Sequence, residues 1–202
     1  MKKVILSACV MLIAIAAYGQ RDKGTVTLQP KVGLNIATLT NDGNADSRFA
    51  PVVGAEIEVQ ATDMVSFSGG LLYSMQGAKG KIGDVDGTVK LDYINVPILA
   101  NVYVANGFAV KLGIQPGFLI NNKVKVSQNG VNAEVDLEKA FKAAGIDAKL
   151  NKVDVSIPVG VSYEFSNINI DARYNLGVTK IIDEDSSKNS VFQITVGYKF
   201  AL

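Results

Sequence analysis

The stretch VFQITVGYKF, Val191 to Phe200, alternates without a break. Phe192, Ile194, Val196, Tyr198 and Phe200 fall on one side of an extended strand, and Gln193, Thr195, Gly197 and Lys199 on the other, because strand side chains repeat every two residues. One face is apolar with aromatic ends, and the other is polar. Alternation of this kind says that one face is dry and one wet. It does not say which of them faces the middle of the molecule.

The pattern recurs upstream. INIDARYNLGVT places Ile168, Ile170, Ala172, Tyr174, Leu176 and Val178 against Asn169, Asp171, Arg173, Asn175, Gly177 and Thr179. VDVSIPVGVSYEF runs in the same way from Val153 to Phe165, and a tight turn at Ser166 and Asn167 joins the two. FAVKLGIQPGFLI (Phe108 to Ile120) and YINVPILANVYV (Tyr93 to Val104) form a second pair around Ala105 to Gly107. VSFSGGLLYSMQ (from Val65), VVGAEIEVQ (from Val52) and VTLQPKVGLNIA (from Val26) bring the predicted strands to eight. Tight turns near 61–63, 105–107 and 166–167 alternate with long polar loops near 38–50, 77–90, 121–152 and 180–189. Such a meander has one rim of turns and one of loops, as outer-membrane barrels do, and an even strand count leaves both ends of the barrel on the turn rim.

The chain has 202 residues, 48% of them hydrophobic, with a mean hydropathy of +0.22. That length suits one closed barrel. The opening MKKVILSACVMLIAIAAYGQ has Lys2 and Lys3, an apolar run from Val4 to Ala17 and small residues at Ala17 and Gly19, the layout of a cleaved secretory signal over residues 1–19. The barrel domain then occupies 20–202. LSAC at Leu6 to Cys9 mimics a lipoprotein box, but cleavage there would split the apolar run, so that reading is rejected. Cleavage near Gly19 removes Cys9, the only cysteine, and with it any disulfide or thiolate metal site. It also removes two of 20 basic residues against 19 acidic ones, a near balance with no electrostatic footprint for nucleic acid.

Three features place the apolar faces outside, toward lipid. The apolar faces carry Phe, Tyr, Ile and Leu in a bulk that eight strands cannot enclose, while the polar faces are rich in Gly, Ser and Asn. The polar positions include Lys31, Glu56, Glu58, Lys111, Asp154, Glu164, Asp171, Arg173 and Lys199, a near-equal mix suited to ion pairs in a plugged lumen rather than an open pore. Aromatics gather at strand ends, and the eight steps from Phe192 to Phe200, tilted by ~40°, span ~20 Å, close to the apolar band of a barrel. A soluble ligand-binding barrel would carry the same period with the faces exchanged. Within the loop 121–152, DLEKAFKAAG predicts a short helix with Asp136 as N-cap and Gly145 as its stop, its apolar stripe packed on the barrel rim.

LLYSMQGAKG, LDYINVPILANVYV, GIQPGFLI, IDARYNLGVTKI and NSVFQITVGYKF, taken in order, resemble the PorT-like family of outer-membrane β-barrel proteins. The resemblance implies an eight-stranded outer-membrane barrel of a Gram-negative-type cell, delivered by the barrel-assembly machinery through a final strand ending Gly197, Tyr198, Lys199, Phe200. It also implies a tie to a protein-secretion apparatus, since the founding member is associated with one.

Chemistry is conspicuously thin. The sequence has no histidine, the general base on which outer-membrane barrel enzymes generally rely. Asp183 and Asp185 in DEDSSK read as a solvated run. DGNADS, with Asp42, Asn44 and Asp46, echoes a calcium loop, but Ser47 and Val53 stand where its glycine and closing glutamate belong. Gly69 and Gly70 are read as permitting strand coiling rather than cradling phosphate. No catalytic residue, cofactor or metal ligand is expected. The expected role is a non-enzymatic barrel displaying loops for surface interaction or envelope integrity; the alternatives are a secretion or surface-assembly accessory and a secreted ligand-binding barrel.

Overall fold

The computed structural model describes residues 21–40, 46–82, 85–128, 131–145, 149–182 and 186–202. The signal segment with Cys9, and the candidates Asp42, Asn44, Asp183 and Asp185, lie outside the described residues. The elements are β1 (Val26–Leu39), β2 (Asp46–Gln60), β3 (Val65–Ile82), β4 (Val85–Asn95), β5 (Ile98–Ala105), β6 (Phe108–Gln128), β7 (Val131–Asp136), α1 (Leu137–Ala143), β8 (Val153–Phe165), β9 (Ile168–Gly177), β10 (Asn189–Tyr198) and β11 (Phe200–Ala201).

These elements build eight walls. β4 and β5 are one wall interrupted at Val96 and Pro97, where the proline has no N–H to give the ladder. The neighbouring strands close around the break: Val96 N donates to Pro116 O at 2.8 Å and Gly70 N to Pro97 O at 3.2 Å. β10 and β11 are likewise one wall, broken where Lys199 N turns to Asn167 O. β7 pairs with β6 alone and lies beyond the barrel. Closure is antiparallel between first and last walls, from Leu39 opposite Asn189 to Lys31 opposite Gly197, then Leu28 opposite Phe200 and Thr27 opposite Ala201. Leu202 N adds a bond to Val26 O, so the last residues complete the seam. A closed barrel leaves no wall with an unpaired edge, the condition for a sheet in hydrocarbon.

The face question is settled by burial. Ile170 is 51% exposed and its neighbour Asp171 is 0% exposed. The same holds around the ring: Val32, Leu34, Phe67, Leu71, Leu112 and Val196 are exposed, whereas Gln29, Glu56, Ser66, Asn101 and Gln193 are buried. Apolar side chains face out and polar ones fill the interior. The ligand-binding alternative needs the reverse and is overturned by this arrangement. Phe192, Tyr198 and Phe200 stand on the outer wall at 39%, 43% and 49% exposure, and the Tyr198 and Phe200 rings touch with centroids 4.7 Å apart.

Several strands outrun their predicted ends on the loop rim. β2 starts at Asp46 rather than Val52, β3 continues to Ile82 rather than Gln76, β4 begins at Val85 and β6 reaches Gln128. Tracts read as loop are ladder, with Gly77 opposite Lys90 and Lys90 opposite Lys123. The reason lies in their alternation, which changes sign. In the wall Ile94 faces out and Asn95 in; beyond it Tyr93, Leu91 and Val89 take inward positions while Lys90 and Thr88 take outward ones, and Asp92 between them is buried, accepting from the Tyr73 hydroxyl and Asn121 Nδ2. Beside Tyr93 the ladder shifts register, leaving Ile120 of β6 as the extra residue.

Candidate functional site

Two assemblies hold the polar and titratable groups: an ionic network inside the barrel and a roof at the loop rim. At mid-barrel, Asp171 and Arg173 stand two residues apart on β9 and share its inward face. Arg173 Nε donates to Asp171 Oδ1 at 2.7 Å, and Arg173 Nη2 pairs with Glu56 Oε1 at 3.1 Å. Lys31 Nζ reaches Glu56 Oε2 at 2.8 Å and Lys111 Nζ reaches Asp171 Oδ2 at 2.6 Å. Five side chains from β1, β2, β6 and β9 therefore form one connected unit. Glycines opposite the bulky members give it room. A Cβ on Gly160 would lie 2.7 Å from Arg173 Cβ, and one on Gly70 would lie 2.8 Å from Glu56 Cγ.

A second unit lies toward the turn rim. Lys199 Nζ is 2.8 Å from Glu58 Oε2 and 2.8 Å from Glu164 Oε2, and donates to the Tyr103 hydroxyl at 3.1 Å. Glu58 also accepts from Ser66 Oγ at 2.7 Å and from the Tyr103 hydroxyl. Arg21 Nη2 reaches Glu164 Oε1 at 2.8 Å and Asn167 Oδ1 at 3.0 Å, tying the segment ahead of β1 to the β8–β9 turn. Arg21, Ser66 and Tyr103 were not among the residues the sequence singled out. Tyr103 carried a signal in its phase, since it alternates with outward Val102 and Val104; Arg21, ahead of the first periodic residue, carried none.

Of the nine predicted charges, the structure brings eight into these two units, Glu164 being half-buried and the rest buried. Asp154 is the exception. It is buried on the inward face but binds Thr179 Oγ1 at 2.9 Å, far along β8 from the other charges and without a cation. Among the described residues no group of three Asp, Glu, His or Cys side chains could hold a metal ion.

The loop rim is built in the opposite sense. Leu91, Tyr93, Leu137, Leu150 and Ile181 form a buried apolar cluster, with Val89, Leu119, Val124 and Phe141 packed against it. α1 contributes Leu137 and Phe141, four residues apart on one helical face. Its N-terminus is capped by Asp136, which accepts from Lys139 N at 3.1 Å, and Gly145 follows it at φ +73°, a left-handed conformation that favours glycine. The Leu150–Ile182 bridge brings in the remaining segments. Because Leu91 and Tyr93 occupy the inward phase of β4, this cluster roofs the lumen. On the outer side of the same sheet, Glu134 of β7 pairs with Lys90 at 2.7 Å and Lys123 at 3.0 Å. Hydrogen bonds from Lys90 and then Lys123 hold the Glu134 carboxyl down at about 2.

A barrel with an apolar exterior, a charged interior and a water-facing rim on one end has the build of a protein seated in an outer membrane. The family model described as outer membrane protein β-barrel domain matches residues 18–183. The chain belongs to that family. It is an outer-membrane β-barrel of Gram-negative type, and its outer wall faces lipid. Solved barrels of similar shape include Ail, the attachment invasion locus protein of Yersinia pestis, in complex with the heparin analogue sucrose octasulfate (TM-score 0.49, 17% identity, 88% of this chain and 99% of that one). Neisserial surface protein A (TM-score 0.48, 14% identity, 87% and 97%) and OprG from Pseudomonas aeruginosa (TM-score 0.46, 16% identity, 92% and 100%) are similar to the same degree. Among curated proteins none matches the sequence.

Proposed function

We propose that this outer-membrane barrel is a non-enzymatic anchor that holds a folded loop platform at the cell exterior, for surface interaction or envelope integrity. The observation that carries the reading is the change of phase in β4 and β6, which gives the loop rim an apolar core of its own. Loops kept only as connections need no such core. In this reading the lumenal network of Lys31, Glu56, Glu58, Lys111, Glu164, Asp171, Arg173 and Lys199 is a plug that makes the barrel rigid, and solute transport is not its task. Residues 1–19 act as a cleaved signal, and the barrel-assembly machinery receives the final strand.

Removal of Cys9 with the signal leaves a chain in which one introduced thiol reports alone. Lys142→Cys on α1 should react with a membrane-impermeant maleimide in intact cells, and Asp63→Cys on the turn rim should react only after lysis. The reverse pattern would sink the reading. The PorT-like motifs favour a second reading, that the platform docks an envelope or secretion component. Co-purification of the Lys142→Cys protein with a defined envelope partner by crosslinking from that thiol would favour it, and a solitary barrel would not.

A further inference from the structure

The two rims differ in exposed charge. Beyond the lipid-facing residues at the loop rim stand Lys79 on β3, Lys90 on β4, Lys123 and Lys125 on β6, Lys152 before β8 and Lys180 after β9. Among the described residues of the turn rim, Lys23 is the one exposed cation, and it stands beside exposed Asp22 with Asp63 nearby in the next turn.

These lysines rise in steps from the edge of the wall. Lys123 is three residues beyond Ile120, and Lys90 four beyond Ile94. At ~3.3 Å per residue and a tilt of ~40° these lie ~7–10 Å above the last apolar side chain. Lys152 adjoins Val153 and Lys180 is two residues past Val178, and these valines are 47% and 44% exposed. A headgroup layer is ~5–8 Å deep on each side of the hydrocarbon, so Lys90, Lys123, Lys152 and Lys180 fall within or just above it, and Lys79 and Lys125, level with Thr88 in register, stand two residues or ~5 Å higher, within the reach of a lysine side chain. Register opposes Lys90 to Lys123 across the strands, a repulsive placement in a sheet unless an anion relieves it. Glu134 serves that pair. Lys79, Lys125, Lys152 and Lys180 have no carboxylate within 4 Å among the described residues.

We propose that these lysines form a collar that binds the phosphate groups of anionic lipids in the leaflet surrounding the loop rim. Exposure at the rim and positive charge without a carboxylate partner on four of the eight walls, at Lys79, Lys125, Lys152 and Lys180, fit a flat anionic surface that encircles the barrel. A ligand docked on the roof would need charge on one side or across the top instead. The proposal rests on the platform reading for which leaflet is engaged, but not for the binding itself.

The test uses the mature protein folded into vesicles of pure phosphatidylcholine or of phosphatidylcholine mixed with phosphatidylglycerol, its unfolding midpoint followed by gel mobility. The wild type should unfold several degrees higher in the anionic vesicles, and ~1 M salt, which shortens the screening length to ~3 Å, should erase the gain. Lys79→Gln/Lys125→Gln/Lys152→Gln/Lys180→Gln leaves the Glu134 pairs intact and should fold with normal mobility yet lose most of the gain. Lys23→Gln should keep it. No gain in the wild type, or full gain in the fourfold variant, would overturn the collar. So would binding of a soluble sulfated polysaccharide by the detergent-held protein with no lipid effect, which would assign the lysines to a polyanion in solution. Symmetric vesicles offer both rims the same headgroups, so a failed collar is distinguishable from a wrong orientation, which only labelling in cells reads.

Discussion

β4 and β6 each pass through two environments, and their two halves obey opposite rules. Within the wall, Phe118 and Ile120 of β6 are exposed and Gln115 is buried. A few residues higher, Leu91, Tyr93 and Val124 join a buried apolar cluster while Lys90 and Lys123 point to water. The backbone is one continuous ladder throughout. What changes is the solvent: hydrocarbon outside the wall asks for apolar side chains there and leaves the polar ones to pair inside, whereas water outside the rim sends charge outward and gathers apolar groups within. The barrel therefore carries two small cores of opposite character, a polar one held by ion pairs and an apolar one held by burial.

Removing one partner should expose that contrast most sharply inside the wall. Arg173→Ala leaves Glu56 and Asp171 buried without their shared cation, and a cost of ~3–5 kcal/mol is expected. Urea unfolding of the bilayer-held protein should show it as a lowered midpoint with unchanged slope; an unaffected midpoint would mean that the network contributes nothing to rigidity. Leu91→Ala should cost ~2–5 kcal/mol, but locally. Hydrogen exchange should quicken in α1 and at the Leu150–Ile182 bridge while the wall stays protected, and equal loss in both regions would merge the two cores into one.

Ile170→Arg places a charge on the lipid face and should cost ~2–4 kcal/mol or block insertion. Thr88→Glu, also outward but on the rim beside Lys79 and Lys125 in register, should stay within ~0.5 kcal/mol. Comparable costs at the two positions would erase the distinction between wall and rim. The smallest effect concerns pH. Glu134 has its folded value lowered from 4.5 to about 2, so its contribution is present above pH ~4.5 and is lost as pH falls toward 2. Exchange of the β6–β7 hairpin should quicken over that window, only modestly because exposed pairs are weak and screened. Glu134→Gln should flatten the response, and a variant that kept it would assign the titration elsewhere.

Much of this was legible in the residues. Val191 to Phe200 and its upstream echoes carry the wall, since every second side chain there answers to lipid or lumen. The inward charges were legible as a set, because Asp171 and Arg173, or Glu56 and Glu58, share a strand and a phase. Their partition into two units was not, since that depends on how far each wall is staggered against the next. Asp154 shows the limit: its phase is right, but its height on β8 puts it near Thr179 rather than a cation. The rim strands stayed hidden for another reason. Val89, Leu91 and Tyr93 alternate as cleanly as the wall does, but in the other phase, and a search for one continuous apolar face reads them as loop.

One strand line crosses the boundary and can be read directly. Single nitroxide labels at Lys90, Ile94, Ile98 and Val102, all outward on β4 and β5, would be tested in bilayers for collision with oxygen, which enriches in lipid, and with a water-soluble nickel chelate. The account predicts nickel access at residue 90, oxygen access at 98 and 102, and the crossover near 94. Nickel access at 98 and 102, or oxygen access at 90, would contradict a wall and a rim of opposite polarity.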